Sequence, residues 1–164
     1  MTVLDQIYTR MLDYYGGDPG RTQHFVKVHS LSALIGRLEG LDAATQFTLE
    51  ATAYIHDIGI KPALEQHGTS AGPYQEELGK APARALLTEC GVDDATIERA
   101  VYLVGHHHTY TNIDGLDYQI LVEADFLVNL YEKNSAIEEV RHAYDTIFKT
   151  ESGRRMCRTR FALD

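Results

Sequence analysis

The chain has 164 residues, a length that suits one compact domain and is short for two. Its 44% hydrophobic and 24% charged residues are typical of a folded protein and argue against overall disorder. The formal net charge of −9 argues against binding to duplex nucleic acid or to an anionic membrane.

The first third of the chain has three stretches with apolar residues near helical spacing. The first covers residues 3–15 and stops at two glycines. Asp18-Pro19 predicts the cap and first turn of a second helix, which a glycine ends at position 40. Asp42 predicts the cap of a third helix, which ends at His56-Asp57.

The middle of the chain mixes helical and irregular patterns. Residues 60–74 contain two prolines and two glycines without a sustained period, which predicts a long loop. Helical spacing resumes over residues 76–89. Asp93 or Asp94 then caps a further helix, which delivers the histidine triplet 106–108 at its far end.

The last third has one strongly apolar segment. Residues 120–130 contain no turn signal, so we predict a helix buried nearly all round. A last helix over 137–148 should follow. We expect the basic tail over 149–160 to be a frayed, solvated terminus, the alternative being that it closes over an anionic substrate or docks a partner. Because no β-hairpin signal appears, we expect an all-α bundle of about six or seven helices, forming one domain over residues 1–164.

Location and cysteine usage suggest an intracellular protein. The N-terminal residues lack the basic start and apolar core of a secretion signal, and no apolar run approaches the roughly 20 residues that cross a bilayer. We therefore expect a cytoplasmic protein with no membrane partner. Cys90 and Cys157 have no CxxC spacing, which predicts two free thiols.

Three positions combine good metal ligands with predicted helices. His56 and Asp57 are adjacent at a helix end, where neighbouring side chains point about 100° apart, so the pair needs ligands from elsewhere to hold an ion. Asp125 lies inside the apolar helix, where an unpaired carboxylate would cost several kcal/mol. His29 lies one turn after Phe25 and so flanks the buried stripe of the second helix. The lone His24 is expected at the surface.

The order His29, His56-Asp57, Asp125 resembles the HD-domain superfamily of metal-dependent phosphohydrolases, and His56-Asp57-Ile58-Gly59 matches its HDIG variant. The resemblance covers about residues 20–132, leaving residues 135–164 as a C-terminal helix and tail. It implies a helical domain that holds one or two divalent ions. His29, His56, Asp57 and Asp125 would be the ligands, and Asp57 would bridge two ions.

The resemblance also implies ligands for a second ion. His106 and His107 stand where two-metal members have a histidine pair, although His108 could replace either. Such members often have another histidine at the start of the helix after the loop, and Glu76 is the substitute chosen here. The Gly-Tyr-Pro signature of relatives that cleave cyclic dinucleotides is missing, which argues against that activity.

We expect a phosphohydrolase that acts on a nucleotide or another small phosphate ester. Nitrogen and oxygen ligands suit Fe, Mn, Co, Ni or Mg, with Zn also possible. The positive charge for the phosphate would come from Lys61, Lys80 and Arg84, and either Asp57 or a neighbouring free carboxylate could act as general base. Lys61 is one residue later than the lysine of many HDIG proteins, which weakens its role.

Two other functions stay open at this point. Some members of the superfamily use a two-iron form of the same site to activate dioxygen, so a diiron oxygenase is one alternative. The other is a catalytically silent module that binds a nucleotide without turnover. The sequence leaves the oligomeric state open, and a homodimer is compatible with it.

Overall fold

The computed structural model describes residues 1–164 and contains nine α-helices and no strand, which confirms the all-α class. The count exceeds the expected six or seven. No helix is both long and apolar enough to span a membrane. The helices are α1 Val3–Tyr14, α2 Pro19–Leu38, α3 Ala43–Ile55, α4 Ile60–His67, α5 Gly72–Glu89, α6 Asp94–Val104, α7 Leu116–Glu132, α8 Ile137–Thr146 and α9 Glu151–Phe161.

The predicted helix starts at three aspartates are confirmed. The Asp18 carboxylate accepts a hydrogen bond from the backbone N–H of Arg21, and Pro19 opens α2. Asp42 and Asp93 cap α3 and α6 in the same way. Each cap satisfies backbone donors that would otherwise lack a partner in the first turn, so these helices begin where the sequence says.

Two apolar clusters form the core, and α3 contributes to both. Leu49 and Ala53 pack into the cluster built on α7 and the C-terminal region. Ala51 and Ile55 pack into the cluster built on α1, α5 and α6. Because α3 is enclosed by both clusters, its C-terminal end lies in the interior, and the residue that follows it, His56, is fully buried.

The prediction of a long loop over residues 60–74 is wrong. Residues Ile60–His67 form α4, and α5 already begins at Gly72. Pro62 lies in the first turn of α4, where a backbone N–H would have no intrahelical acceptor, so the proline removes no hydrogen bond from the helix. Only Ile60 and Ala63 are buried in α4, and eight residues are too few to show a period.

The prediction of a frayed tail after residue 149 is also wrong, although Arg155, Arg158 and Arg160 are exposed. Thr150 caps α9, whose Cys157 is buried in the core. The fully buried Glu123 carboxylate of α7 accepts hydrogen bonds from the backbone N–H groups of Lys149 and Thr150, at 2.6 and 2.9 Å, and from the Thr150 hydroxyl. A buried acid thus fixes the start of α9. Both cysteines are free, as predicted.

Candidate metal centre

Four buried side chains from separate parts of the chain converge. His24 comes from α2, His56 and Asp57 directly follow α3, and Asp125 comes from α7. Nε2 of His24 lies 3.3 Å from Nε2 of His56, 3.2 Å from Oδ1 of Asp125 and 3.5 Å from Oδ2 of Asp57. Nε2 of His56 lies 3.4 Å from Oδ1 of Asp125 and 3.6 Å from Oδ2 of Asp57. We call these four residues the HD cluster.

Hydrogen bonds orient the imidazoles so that Nε2 faces the cluster. Nδ1 of His56 lies 2.8 Å from the carbonyl oxygen of Ala53 and so carries a proton. Nδ1 of His24 lies 2.9 Å from a carboxylate oxygen of Glu132. In the neutral tautomer fixed by these partners, Nε2 has a free lone pair. Two such lone pairs facing each other and two carboxylates repel unless a cation lies among them.

The spacing of the donor atoms fits one bound ion. With ligand bonds of about 2.1 Å, donors around a single ion lie about 3.0 to 3.4 Å apart in octahedral or tetrahedral arrangements. The two Nε2 atoms lie 3.3 Å from each other and 3.2 to 3.6 Å from the facing oxygens of Asp57 and Asp125, which is close to this range. The set of two imidazoles and two carboxylates therefore suits a divalent ion of the first transition series or Mg.

The pKa values show that this buried site favours positive charge. Burial opposes protonation of His24 and His56, but the adjacent Asp57 and Asp125 carboxylates outweigh it and raise the pKa of both imidazoles. Burial likewise opposes ionisation of Asp125, yet hydrogen bonds from His24 and His56 in their protonated form keep the pKa of that carboxyl well below its usual range. A divalent cation supplies the same positive charge without protonating its ligands.

The structure corrects the choice of His29 as a ligand. Nε2 of His29 lies 3.1 Å from a carboxylate oxygen of Glu50, and its ring stacks on Tyr54 with centroids 3.9 Å apart. Residues five apart on a helix point about 140° apart, so His24 and His29 cannot face the same centre. His24 shares a buried face with Val28 four residues later, but His29 has the same spacing from Phe25, so the spacing alone does not distinguish the two histidines.

A second group of donors adjoins the HD cluster. Nε2 of His107 lies 3.3 Å from Oδ1 of Asp57, while Oδ2 of Asp57 faces His24 and His56. Ligand atoms of Asp57, His107 and His108 all lie within 4.8 Å of one another. Burial, and then the charge of His107, lower the pKa of His108 to about 4, which keeps this imidazole neutral. The two oxygens of Asp57 are thus directed to two neighbouring donor sets.

Two residues chosen for the second ion lie elsewhere. Nδ1 of His106 bonds to the carbonyl oxygen of Tyr102, and its ring stacks on the Tyr102 ring. The pair at the site is therefore His107 and His108, because the turn after α6 directs His106 away. The Glu76 carboxylate accepts hydrogen bonds from the backbone N–H of His108 and the Thr109 hydroxyl, so it holds this turn in place.

The three cations chosen for the substrate are engaged at other positions. Lys61 donates to the carbonyl oxygen of Tyr14 and lies over that tyrosine's ring. Lys80 pairs with Glu77, and Arg84 forms a two-bond pair with Glu98. None of the three lines the cleft at the cluster. Long flexible side chains bind an acceptor that lies close in the folded structure, and the sequence does not show which acceptor that is.

The cleft over Asp57 contains two other cations. It has a volume of about 370 Å³, and Arg21 and Lys133 line it together with Gln75, Asn129 and Glu132. Nη1 of Arg21 donates to Oδ2 of Asp57 at 2.9 Å, and Nε of Arg21 is buried without a hydrogen-bond partner. Nδ2 of Asn129 donates to Oδ1 of Asp125. The cleft therefore combines the donor clusters with positive charge and one unused N–H donor.

Comparisons with known proteins identify the fold. No protein-family model and no curated protein matches the sequence. Among solved structures, the chain is similar to a crystal structure of a predicted HD superfamily hydrolase from an uncultured Thermotogales bacterium. The two share 25% sequence identity and a TM-score of 0.66, and the alignment covers 98% of this chain and 83% of that one. This likeness and the buried cluster of histidines and aspartates confirm the resemblance of the chain to the HD-domain superfamily.

Proposed function

We propose that this protein is a divalent-metal-dependent hydrolase of a phosphate ester, with a nucleotide or another small phosphorylated metabolite as substrate. The observation that supports it most is the HD cluster, whose Nε2 and carboxylate oxygen atoms meet at distances suited to one ion. The described neighbour, a predicted HD superfamily hydrolase, supports the reaction class.

The residues of the HD cluster would hold one ion, and Asp57, His107 and His108 would contribute to a second. An ion in this position supplies a Lewis acid for a phosphoryl oxygen and lowers the pKa of water. The described donors are nitrogen and oxygen atoms, which favours Fe, Mn, Co, Ni, Zn or Mg over ions that prefer sulfur.

The protein's own contribution is to bind and orient the phosphate. Arg21 and Lys133 line the cleft and would neutralise the non-bridging oxygens. The Arg21 guanidinium is fixed by its bond to Asp57 while the residue lines the cleft, which holds its positive charge beside the expected position of the phosphate. Glu132 and Asn129 bond to His24 and Asp125, and so hold two members of the cluster in place.

Phosphate release from a panel of phosphate esters tests this function. The purified protein is stripped with a chelator and reloaded separately with each divalent ion. We expect release only with metal, and loss of nearly all activity in Asp125→Ala, because the cluster loses a ligand. Leu38→Ala, at an exposed position on α2, serves as the control. No release with any ion, or full activity in Asp125→Ala, would contradict the proposal.

A further inference from the structure

A second, mostly apolar cavity of about 530 Å³ is lined by residues of α7, of α8 and of the segment between α6 and α7. Its volume is in the range of small-molecule sites. Its walls are Tyr110, Phe126, Leu130, Ala143 and Ile147. We call it the ring pocket. The HD cluster and the proposed hydrolysis use none of these five side chains.

Helix α7 places the ring pocket next to the cleft over Asp57, where the phosphate is proposed to bind. Asp125 belongs to the HD cluster, and Asn129, one turn later, lines the cleft. Phe126 and Leu130, each the next residue along, line the ring pocket. Since consecutive helical residues point about 100° apart, Asp125 and Asn129 face the HD cluster and the cleft, while Phe126 and Leu130 face the neighbouring pocket.

Tyr110 links the two cavities. Its hydroxyl lies 3.5 Å from Nδ1 of His108, which belongs to the second donor set. Its ring packs edge-on against Phe126 with centroids 5.2 Å apart. One aromatic side chain thus contacts both the donor site and the ring pocket.

The polar rim of the ring pocket is acidic. Glu138 and Glu139 lie in the first turn of α8, and His142 follows one turn later. No lysine or arginine lines the pocket, and neither glutamate forms an ion pair. Two carboxylates repel a further phosphate and accept hydrogen bonds from N–H groups.

We propose that the ring pocket binds the ring of the substrate, a planar uncharged heterocycle with N–H donors, while its single phosphate lies in the cleft. This inference rests on the proposed function and narrows its substrate class to monophosphates of amino-bearing aromatic rings. Phe126 and Tyr110 offer aromatic surfaces to such a ring, and the acidic rim accepts hydrogen bonds from its amino group.

Kinetics with two esters test the pocket. Adenosine 5′-monophosphate and ribose 5-phosphate have the same phosphate and sugar and differ in the ring. We expect kcat/KM to be higher for the nucleotide by about tenfold or more, because only the nucleotide fills the pocket. Thr146→Trp, an exposed change at the pocket mouth, should remove this preference by lowering the nucleotide value alone. Tyr131→Ala removes an exposed aromatic side chain of α7 outside the pocket and should preserve the preference.

Binding of adenosine, which has no phosphate, tests the pocket independently of hydrolysis. Saturation-transfer NMR should detect adenosine on the wild type and on Tyr131→Ala, but not on Thr146→Trp. Purine riboside lacks the amino group and should bind more weakly than adenosine, a difference that the double variant Glu138→Gln, Glu139→Gln should reduce.

The two experiments separate failure of the pocket from failure of the hydrolase. Equal kcat/KM values for the two esters, or adenosine binding unchanged in Thr146→Trp, would overturn the ring pocket and leave the hydrolase standing. No hydrolysis of either ester, with adenosine binding lost in Thr146→Trp, would support the pocket and count against the proposed function.

Discussion

The carboxylate of Glu132 lies 2.9 Å from Nδ1 of His24 and bonds on its other oxygen to Lys27 at 2.6 Å. His56 and His107 instead direct Nδ1 to backbone carbonyl oxygens. Among the histidines of the two donor sets, His24 is therefore the one whose Nδ1 is bound by a charged side chain. Such partners fix the tautomer of a ligand and raise its basicity.

Glu132→Gln should weaken metal binding. The amide keeps the size of the side chain but loses the charge that favours the Nδ1–H tautomer of His24, so we expect affinity to fall about 10- to 100-fold. Competition with a chelator of known affinity measures the change. Glu89→Gln, which removes an exposed pair with Arg10, is the control, and equal affinities of the two variants would contradict the role of Glu132.

Glu123→Ala should destabilise the docking of α9. The substitution leaves the backbone N–H groups of Lys149 and Thr150 without their buried acceptor, so we expect a loss of about 2–4 kcal/mol in the free energy of unfolding. Urea unfolding measures it, and limited proteolysis should show earlier cleavage near residue 150. Glu123→Gln keeps one carbonyl acceptor and should lose less, so an Ala variant as stable as the Gln variant would count against this account.

His29 should make stability depend on pH. Burial is the main cause that lowers its pKa; Glu50 opposes this effect, and Arg37 adds to it. The unfolded chain therefore binds a proton at His29 more readily than the folded chain does. The contribution of neutral His29 to the free energy of unfolding is complete above the unfolded pKa of about 6.5 and decreases as pH falls below it. The wild type should lose stability between pH 7 and 5 relative to His29→Gln. Parallel pH profiles of the two proteins would refute the assignment.

Helix starts followed from local chemistry, and so they could be predicted. The caps at Asp18, Asp42 and Asp93 depend only on a side chain and the backbone two or three residues later. By contrast, α9 depends on Glu123, which lies 27 residues before Thr150 in the chain. A pattern read over a short stretch of sequence does not show a contact between residues this far apart. The sequence therefore predicts a frayed tail where the structure has α9.

The site residues also differ in whether local sequence or tertiary packing determines their position. His56, Asp57 and Asp125 stood out because a polar pair ended one apolar helix and an acid interrupted another. The choice between His24 and His29 depends on which face of α2 packs against α3 and α7, a tertiary property. The cations Arg21 and Lys133 were missed because their position at the cleft follows from the same packing.

The metal content of His24→Ala and His29→Ala tests the central claim most directly. Each variant is reloaded with Mn²⁺, freed of excess ion and analysed by elemental analysis beside the wild type. The account predicts that His29→Ala keeps its metal, whereas His24→Ala retains at most about a tenth, because the HD cluster loses one of its ligands. Loss of metal from His29→Ala together with full retention in His24→Ala would contradict it.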